Sequence, residues 1–152
     1  CDWSSDVCSS DLTVEIKNDP DEPDFAPAEL IADETIAHLL ARHDNDRWLI
    51  SSFRMETVDR CHVLAPQIRT AWLCVEPPEG TPATLVSKGH AALHPWVGAL
   101  TRATVDACHA AGVQVNTWTC DDPERMRELI GWGIDGICTN VPDVALGVIA
   151  GV

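Results

Sequence analysis

A short apolar run, a turn and a helical period recur about six times from Thr13 to the end of the chain, and this alternation restricts the fold more than any other feature. The strand candidates are 13–17 (TVEIK), 48–53 (WLISSF), 71–75 (AWLCV), 91–94, 113–119 (VQVNTWT) and 137–139. Each is short, and several are β-branched or nearly continuous in apolar residues. Helices are expected between them. The first, 27–43, carries Leu30, Ile31, Ile36, Leu39 and Leu40 on one stripe with Asp33 and Glu34 opposite. The second, 55–64, places Val58, Cys61 and Leu64 together and ends before Pro66. Further helices are expected over 81–88, from the N-cap Thr101 to Ala111 with Gly112 as the stop, from Asp121 or Asp122 through Pro123 to Gly133, and over 142–149.

Repeated β-α order implies a parallel sheet with helical crossovers, and strands such as WLISSF and AWLCV suit a sheet covered on both faces. No G-x-G-x-x-G follows any strand, so the usual nucleotide fingerprint of an open doubly wound sheet is missing. Six units fall short of a complete (β/α)8 barrel. The first twelve residues, CDWSSDVCSSDL, have no helical or alternating pattern and resemble a sequencing-adaptor oligonucleotide translated in frame. The expectation is therefore an α/β chain with a non-native segment at 1–12. Residues 13–152 then form the C-terminal part of a TIM (β/α)8 barrel truncated at its N-terminus, with about the last six βα units remaining.

Ten basic residues against 24 acidic ones give a net charge of −14, which disfavours a phosphate backbone or an anionic lipid surface. The chain stays acidic with Asp2, Asp6 and Asp11 set aside. No nucleic acid partner is expected. Neither a signal peptide nor an apolar run long enough to span a membrane is visible, and the provisional reading is cytoplasmic. Beyond the first twelve residues, Cys61, Cys74, Cys108, Cys120 and Cys138 lack C-x-x-C spacing, so they read as thiols in a reducing compartment rather than as a zinc site or disulfide framework.

In a barrel the active residues stand at the C-terminal ends of the strands and in the loops that follow. The residues so placed are Glu15, Lys17, Asn18, Ser52, Phe53, Arg54, Glu76, His94, Trp118, Thr119, Thr139 and Asn140. Glu15 and Lys17 share a strand face, where a carboxylate can bind a divalent cation and an ammonium can hold a phosphate oxygen. An exposed ion pair explains them equally well. His38, His43, His62, His90 and His109 read as structural or solvated, while His94 stands at a strand end. Trp118 is either a substrate wall or an aromatic plug.

The segment 115–143, VNTWTCDDPERMRELIGWGIDGICTNVPD, resembles the end of the glycerophosphodiester phosphodiesterase family, where Val-Asn-x-Trp-Thr-Val-Asn precedes a capped helix and Gly-x-Asp-Gly-Ile-x-Thr-Asp-x-Pro. Residues 13–18 are similar to its Glu-Ile-Lys strand, 51–53 to its Ser-Phe strand end, and 93–95 with 100–101 to its His-Pro and following helix start. The resemblance implies a TIM barrel that hydrolyses glycerophosphodiesters to glycerol 3-phosphate and an alcohol with a divalent metal, Mg²⁺ or Ca²⁺. It implies that Glu15 is a metal ligand, that Lys17 contacts the substrate phosphate, and that Trp118 lines the pocket. Cys120 and Asn140 depart from the pattern, standing where Val and Asp are usual.

The family's His-Arg-Gly, Pro-Glu-Asn, Glu-x-Asp and His-Asp motifs have no match, so its acid/base histidines are expected upstream of Thr13 and no catalytic residue is assigned within the chain. Alone, the chain is expected to be inactive. Two alternatives accompany this reading. One is a noncatalytic barrel fragment acting as a binding or self-association module; the other is a phospholipase-like phosphodiesterase on a related barrel. The oligomeric state is left open.

Overall fold

The strand β2 (Trp48–Ser52) is buried along its whole length, which requires a covering layer on each face of the sheet. In the computed structural model, which describes residues 12–42 and 47–151, that sheet has six parallel strands in sequential order. They are β1 (Leu12–Glu15), β2, β3 (Arg69–Cys74), β4 (Ala92–Pro95), β5 (Gln114–Thr117) and β6 (Gly136–Ile137). The crossovers are α1 (Leu30–Leu40), α2 (Met55–Leu64), α3 (Thr81–Lys88), α4 (Arg102–Ala110) and α5 (Pro123–Gly131), with α6 (Pro142–Ala150) after the last strand. A doubly wound sheet would reverse its strand order at a switch point. Here the order never reverses, and residues from all six strands line one trough, so the sheet curls as a partial β/α barrel.

Register follows the apolar pattern. Glu15 pairs with Ser51, Ser51 with Ala71, and Ala71 with Ala92. The concave face has its own small buried cluster of Leu49, Ala71 and Ala92. On the convex face, Ile16, Ile50 and Ile68 meet Ala32, Ile36, Leu39 and Cys61 of the first two helices. The later strands place Leu93 and Val115 against Leu85, Val105, Met126 and Leu129.

Three helix ends follow their sequence signals closely. Thr101 caps α4 by accepting from the Thr104 amide at 3.2 Å, Asp122 caps α5 by accepting from the Glu124 amide at 3.0 Å, and Pro123 opens α5. Gly112 has φ 78°, the left-handed value that ends a helix at low steric cost.

The expected apolar stripe of α1 is corrected. Ala32, Ile36 and Leu39 are its buried line, whereas Leu30, Ile31 and Leu40 are exposed. The helix starts three residues later than the periodicity suggests, because Glu29 takes a left-handed conformation that interrupts it. Asp33, on the side away from that buried line, stays partly exposed and forms a two-bond ion pair with Arg60 of α2, at 2.7 and 3.0 Å. The expected segment 1–12, apart from Leu12, and His43 lie outside the described residues.

Candidate functional site

The loop after β1 begins by extending the ladder, with the Ile16 amide donating to Ser51 O at 2.8 Å. Ser52 Oγ donates to Ile16 O at 2.8 Å, fastening β2 to the same point. Asn18 then staples the loop to itself, donating to Ala26 O at 3.1 Å and accepting from the Ala26 amide at 3.0 Å. Its Nδ2 also donates to Glu29 Oε2 at 3.0 Å. Glu29 gathers two further partners, Thr57 Oγ1 at 2.6 Å and Arg54 Nε at 2.7 Å. A left-handed non-glycine residue costs about 1–2 kcal/mol, and this network holds Glu29 there at φ 57°. Burial alone would raise the Glu29 carboxyl, but the bonds from Thr57, Arg54 and Asn18 outweigh it and leave the pKa below its usual value.

That clamp shapes a cavity of about 500 Å³, lined by Glu15, Lys17, Asn18, Asp19, Phe53 and Arg54 among others. Glu15 and Lys17 are both exposed at its edge. Lys17 lies just beyond β1, which ends at Glu15, yet it keeps the strand's side-chain alternation.

Glu15 also borders the larger trough of about 720 Å³ on the concave face. Its walls include Phe53, His94, Asn116 and Trp118. Trp118 is half-buried, donates from Nε1 to His94 O at 2.8 Å, and meets Phe53 edge to face at 5.4 Å. Trp118 therefore stands on the lining of the trough. Burial pushes the His94 imidazole down to about 4, so it is uncharged at neutral pH, and its Nε2 accepts from Asn116 Nδ2 at 2.9 Å.

Other candidates are brought together differently. Arg54 serves Glu29, and its guanidinium also stacks 5.1 Å over Phe25. Glu76 is exposed and lines neither of these two cavities. Thr139 and Asn140 clamp Asp121, which accepts from Thr139 Oγ1 at 2.8 Å, from the Asn140 amide at 2.8 Å and from Asn140 Nδ2 at 2.9 Å. The side-chain bond from Asn140 contributes most to holding Asp121 below the usual carboxylate range.

His90 is structural. It sits between Thr70 Oγ1 at 2.9 Å and Asp59 at 3.0 Å, and Lys88 completes the set at 2.5 Å from Asp59. Burial raises the thiols of Cys61 and Cys74 to about 12 and of Cys108 to about 11, which leaves them protonated and unreactive. Cys138 differs in being exposed on the trough.

Among the described residues, no three His, Cys, Asp or Glu side chains converge to hold a metal ion. Glu15 contributes one carboxylate, whereas Mg²⁺ or Ca²⁺ takes six or more oxygens, so these residues are at most part of a metal site.

A family model for glycerophosphoryl diester phosphodiesterases matches residues 5–144. The chain belongs to that family. A glycerophosphodiester phosphodiesterase of Bacillus altitudinis is 30% identical over 106 residues, a match that takes in 66% of this chain and 42% of the relative. A crystal structure from Silicibacter pomeroyi carrying the same family name superposes with a TM-score of 0.82 at 25% identity, covering 93% of this chain and 50% of that one. An Oleispira antarctica phosphodiesterase, solved with the product sn-glycerol-3-phosphate, superposes with a TM-score of 0.74 at 22% identity over 93% of this chain and 56% of its own. The chain thus spans about half, or less, of the length of these phosphodiesterases. No helix among the described residues is long and apolar enough to cross a membrane.

Proposed function

We propose that the whole protein hydrolyses glycerophosphodiesters to glycerol 3-phosphate and an alcohol with the help of a divalent cation, Mg²⁺ or Ca²⁺. In this reading Glu15 is one of the metal ligands, Lys17 holds the substrate phosphate and Trp118 walls the pocket. The observation that carries it is the placing of Glu15 and Lys17 together at the C-terminal end of β1 on the edge of one cavity, with Glu15 also bordering the trough, in a chain of this family. A bound cation would polarise a phosphoryl oxygen. The chain's own part is to orient: Lys17 offsets negative charge on the phosphate, and the Phe53–Trp118 pair closes an apolar wall beside it. His94 is buried, uncharged and already engaged by Asn116, so the acid/base histidines are assigned to residues preceding Thr13 and the chain alone is inactive.

The test is the release of glycerol 3-phosphate from glycerophosphocholine by the restored longer protein, with the metal removed by chelation and then returned. Glu15→Gln should lower kcat about a hundredfold or more while circular dichroism is unchanged. Lys17→Ala should raise KM and lower kcat by about tenfold or more. Full turnover by Glu15→Gln at saturating substrate and metal would overturn the assignment.

A further inference from the structure

Thr70, His90, Asp59 and Lys88 are joined by hydrogen bonds at the N-terminal ends of β3 and β4, the opposite end of the sheet from Glu15, His94 and Trp118. Thr70 belongs to β3 and Asp59 to α2, while Lys88 ends α3 and His90 stands in the turn before β4. A hydroxyl, an imidazole and a carboxylate in this order have the sequence of a hydrolytic triad. Thr70 is 1% exposed, however, and the His90 side chain is wholly buried, so no substrate reaches the hydroxyl.

The bonds fix where the ring carries its proton. Burial opposes the ionisation of Asp59, but the bonds from Lys88 and His90 outweigh it and leave the carboxyl below its usual value. An ionised carboxylate only accepts, so His90 Nε2 donates to Asp59 Oδ1 at 3.0 Å, and Nδ1 accepts from Thr70 Oγ1 at 2.9 Å. A second proton can go only to Nδ1. Thr70 would then have to turn its oxygen toward the ring, and the hydroxyl proton has no other partner among the described residues.

The groups that face the ring are Asp59 and His62 from α2, Lys88 from the end of α3 and the neutral Thr70 from β3. A charge on His90 would therefore stand beside a cation, with only Asp59, already shared with Lys88, to offset it. The turn has little slack to relieve this. Gly89 has φ 80°, and His62 Nε2 lies 2.6 Å from the point a Cβ on Gly89 would occupy, while the His62 ring meets His90 edge-on at 5.9 Å.

We propose that these bonds form a latch operated by pH, which fastens the α3–β4 turn to α2 and β3 near neutrality and releases it in mild acid. Lifting the turn puts His90 in water, where it takes the second proton without stranding Thr70. Burial is the chief cause that keeps the closed ring below its ordinary value, with Asp59 opposing it, so the open form binds the more protons and grows as the pH falls below about 6.5. The His90 and Ala91 amides report the opening, because they donate to Leu85 O at 2.9 Å and to Thr70 O at 2.8 Å across the same turn.

The test is amide hydrogen–deuterium exchange followed by nuclear magnetic resonance on the ¹⁵N-labelled chain, corrected for the intrinsic effect of pH on exchange. His90 and Ala91 should be less protected than Met126 and Ile134 at every pH, and their protection should fall about 5- to 25-fold between pH 7 and 5. The upper figure is the limit for an imidazole of ordinary value about 6.5 that takes no proton while the turn is closed. Protection equal to that of Met126 and Ile134 throughout would mean that the turn opens only with the whole molecule, and the latch would fail. Protection independent of pH would end it as well.

The ¹⁵N spectrum of the His90 ring should place its proton on Nε2 at pH 7, and a proton on Nδ1 would overturn the bonding that the latch requires. In His90→Gln, whose amide keeps a donor toward Asp59 but cannot titrate, the protection of Ala91 should stay within about twofold from pH 7 to 5. An undiminished fall in that variant, with the amide signals of α5 unchanged to show that it is folded, would assign the proton to another group and sink the proposal.

Discussion

Glu29 shows how much a single residue can hold in place. Its carboxylate accepts from three places at once, the β1–α1 loop through Asn18, the N-cap of α2 through Arg54, and the first turn of α2 through Thr57. Glu29→Gln keeps the shape but replaces one acceptor oxygen with a donor that faces a donor. Removing charge-assisted bonds of this kind costs about 1.5–3 kcal/mol, so a comparable loss in unfolding free energy is expected, measured by urea denaturation. The same variant should broaden or shift the amide signals of Lys17 and Asn18, because the loop that carries them has lost its anchor. Stability within about 0.5 kcal/mol of the unaltered chain would mean that the clamp is a surface feature. Sequence reasoning had no means of finding Glu29. It stands among residues of helical period, and nothing in a lone glutamate signals a left-handed backbone or three distant donors.

At the scale of elements, what was legible was whatever depends on local chemistry. Helix α2 occupies the residues its periodicity marks, α3 the short stretch expected after the Pro- and Gly-rich turn, and the caps at Thr101 and Asp122 form the bonds their side chains suit. Strand ends were read less well, since a strand stops where its neighbour stops, and β6 pairs with β5 at only two positions, Asn116 with Gly136 and Thr117 with Ile137. Of the candidate site, Glu15, Lys17, His94 and Trp118 were readable from strand-end position, whereas that Ser51 and Asn116 line the same trough depends on which strands are neighbours, which no local pattern states. The α1 stripe failed for a related reason. Five apolar residues offered two overlapping faces, and the one buried is set by Ile50, Cys61 and Ile68 packing against Ile36 and Leu39. Ile36→Ala should therefore cost about 2–5 kcal/mol, whereas Leu30→Ala, at a residue 58% exposed, should change stability by about 0.5 kcal/mol or less. Equal losses in thermal or urea unfolding would restore the stripe expected from the sequence.

For the molecule as a whole, the response to acid divides into two ranges of pH because the buried histidines and the paired carboxylates are perturbed in physically different ways. Burial lowers His94 to about 4 and also lowers His90, the latter despite the opposing pull of Asp59. In the unfolded chain both return to the ordinary value near 6.5, so below that pH the unfolded state binds protons that the folded state refuses. The stability they confer is complete above about 6.5 and declines as the pH falls toward 4. For His94 the shift corresponds to about 3 kcal/mol over the whole range, at order of magnitude. Glu29 and Asp59 behave in the other sense. Burial opposes their ionisation, yet their hydrogen bonds leave both carboxyls below normal, so what they contribute is present above the ordinary carboxylate values and lost at lower pH. The urea midpoint should therefore fall between pH 7 and 5 through the two histidines, and fall again below about 4.5 as the contribution of Glu29 and Asp59 is lost. His94→Asn should flatten the first decline and leave the second in place. A midpoint constant from pH 7 to 5 in the unaltered chain would show that water and a proton reach His94 in the folded state.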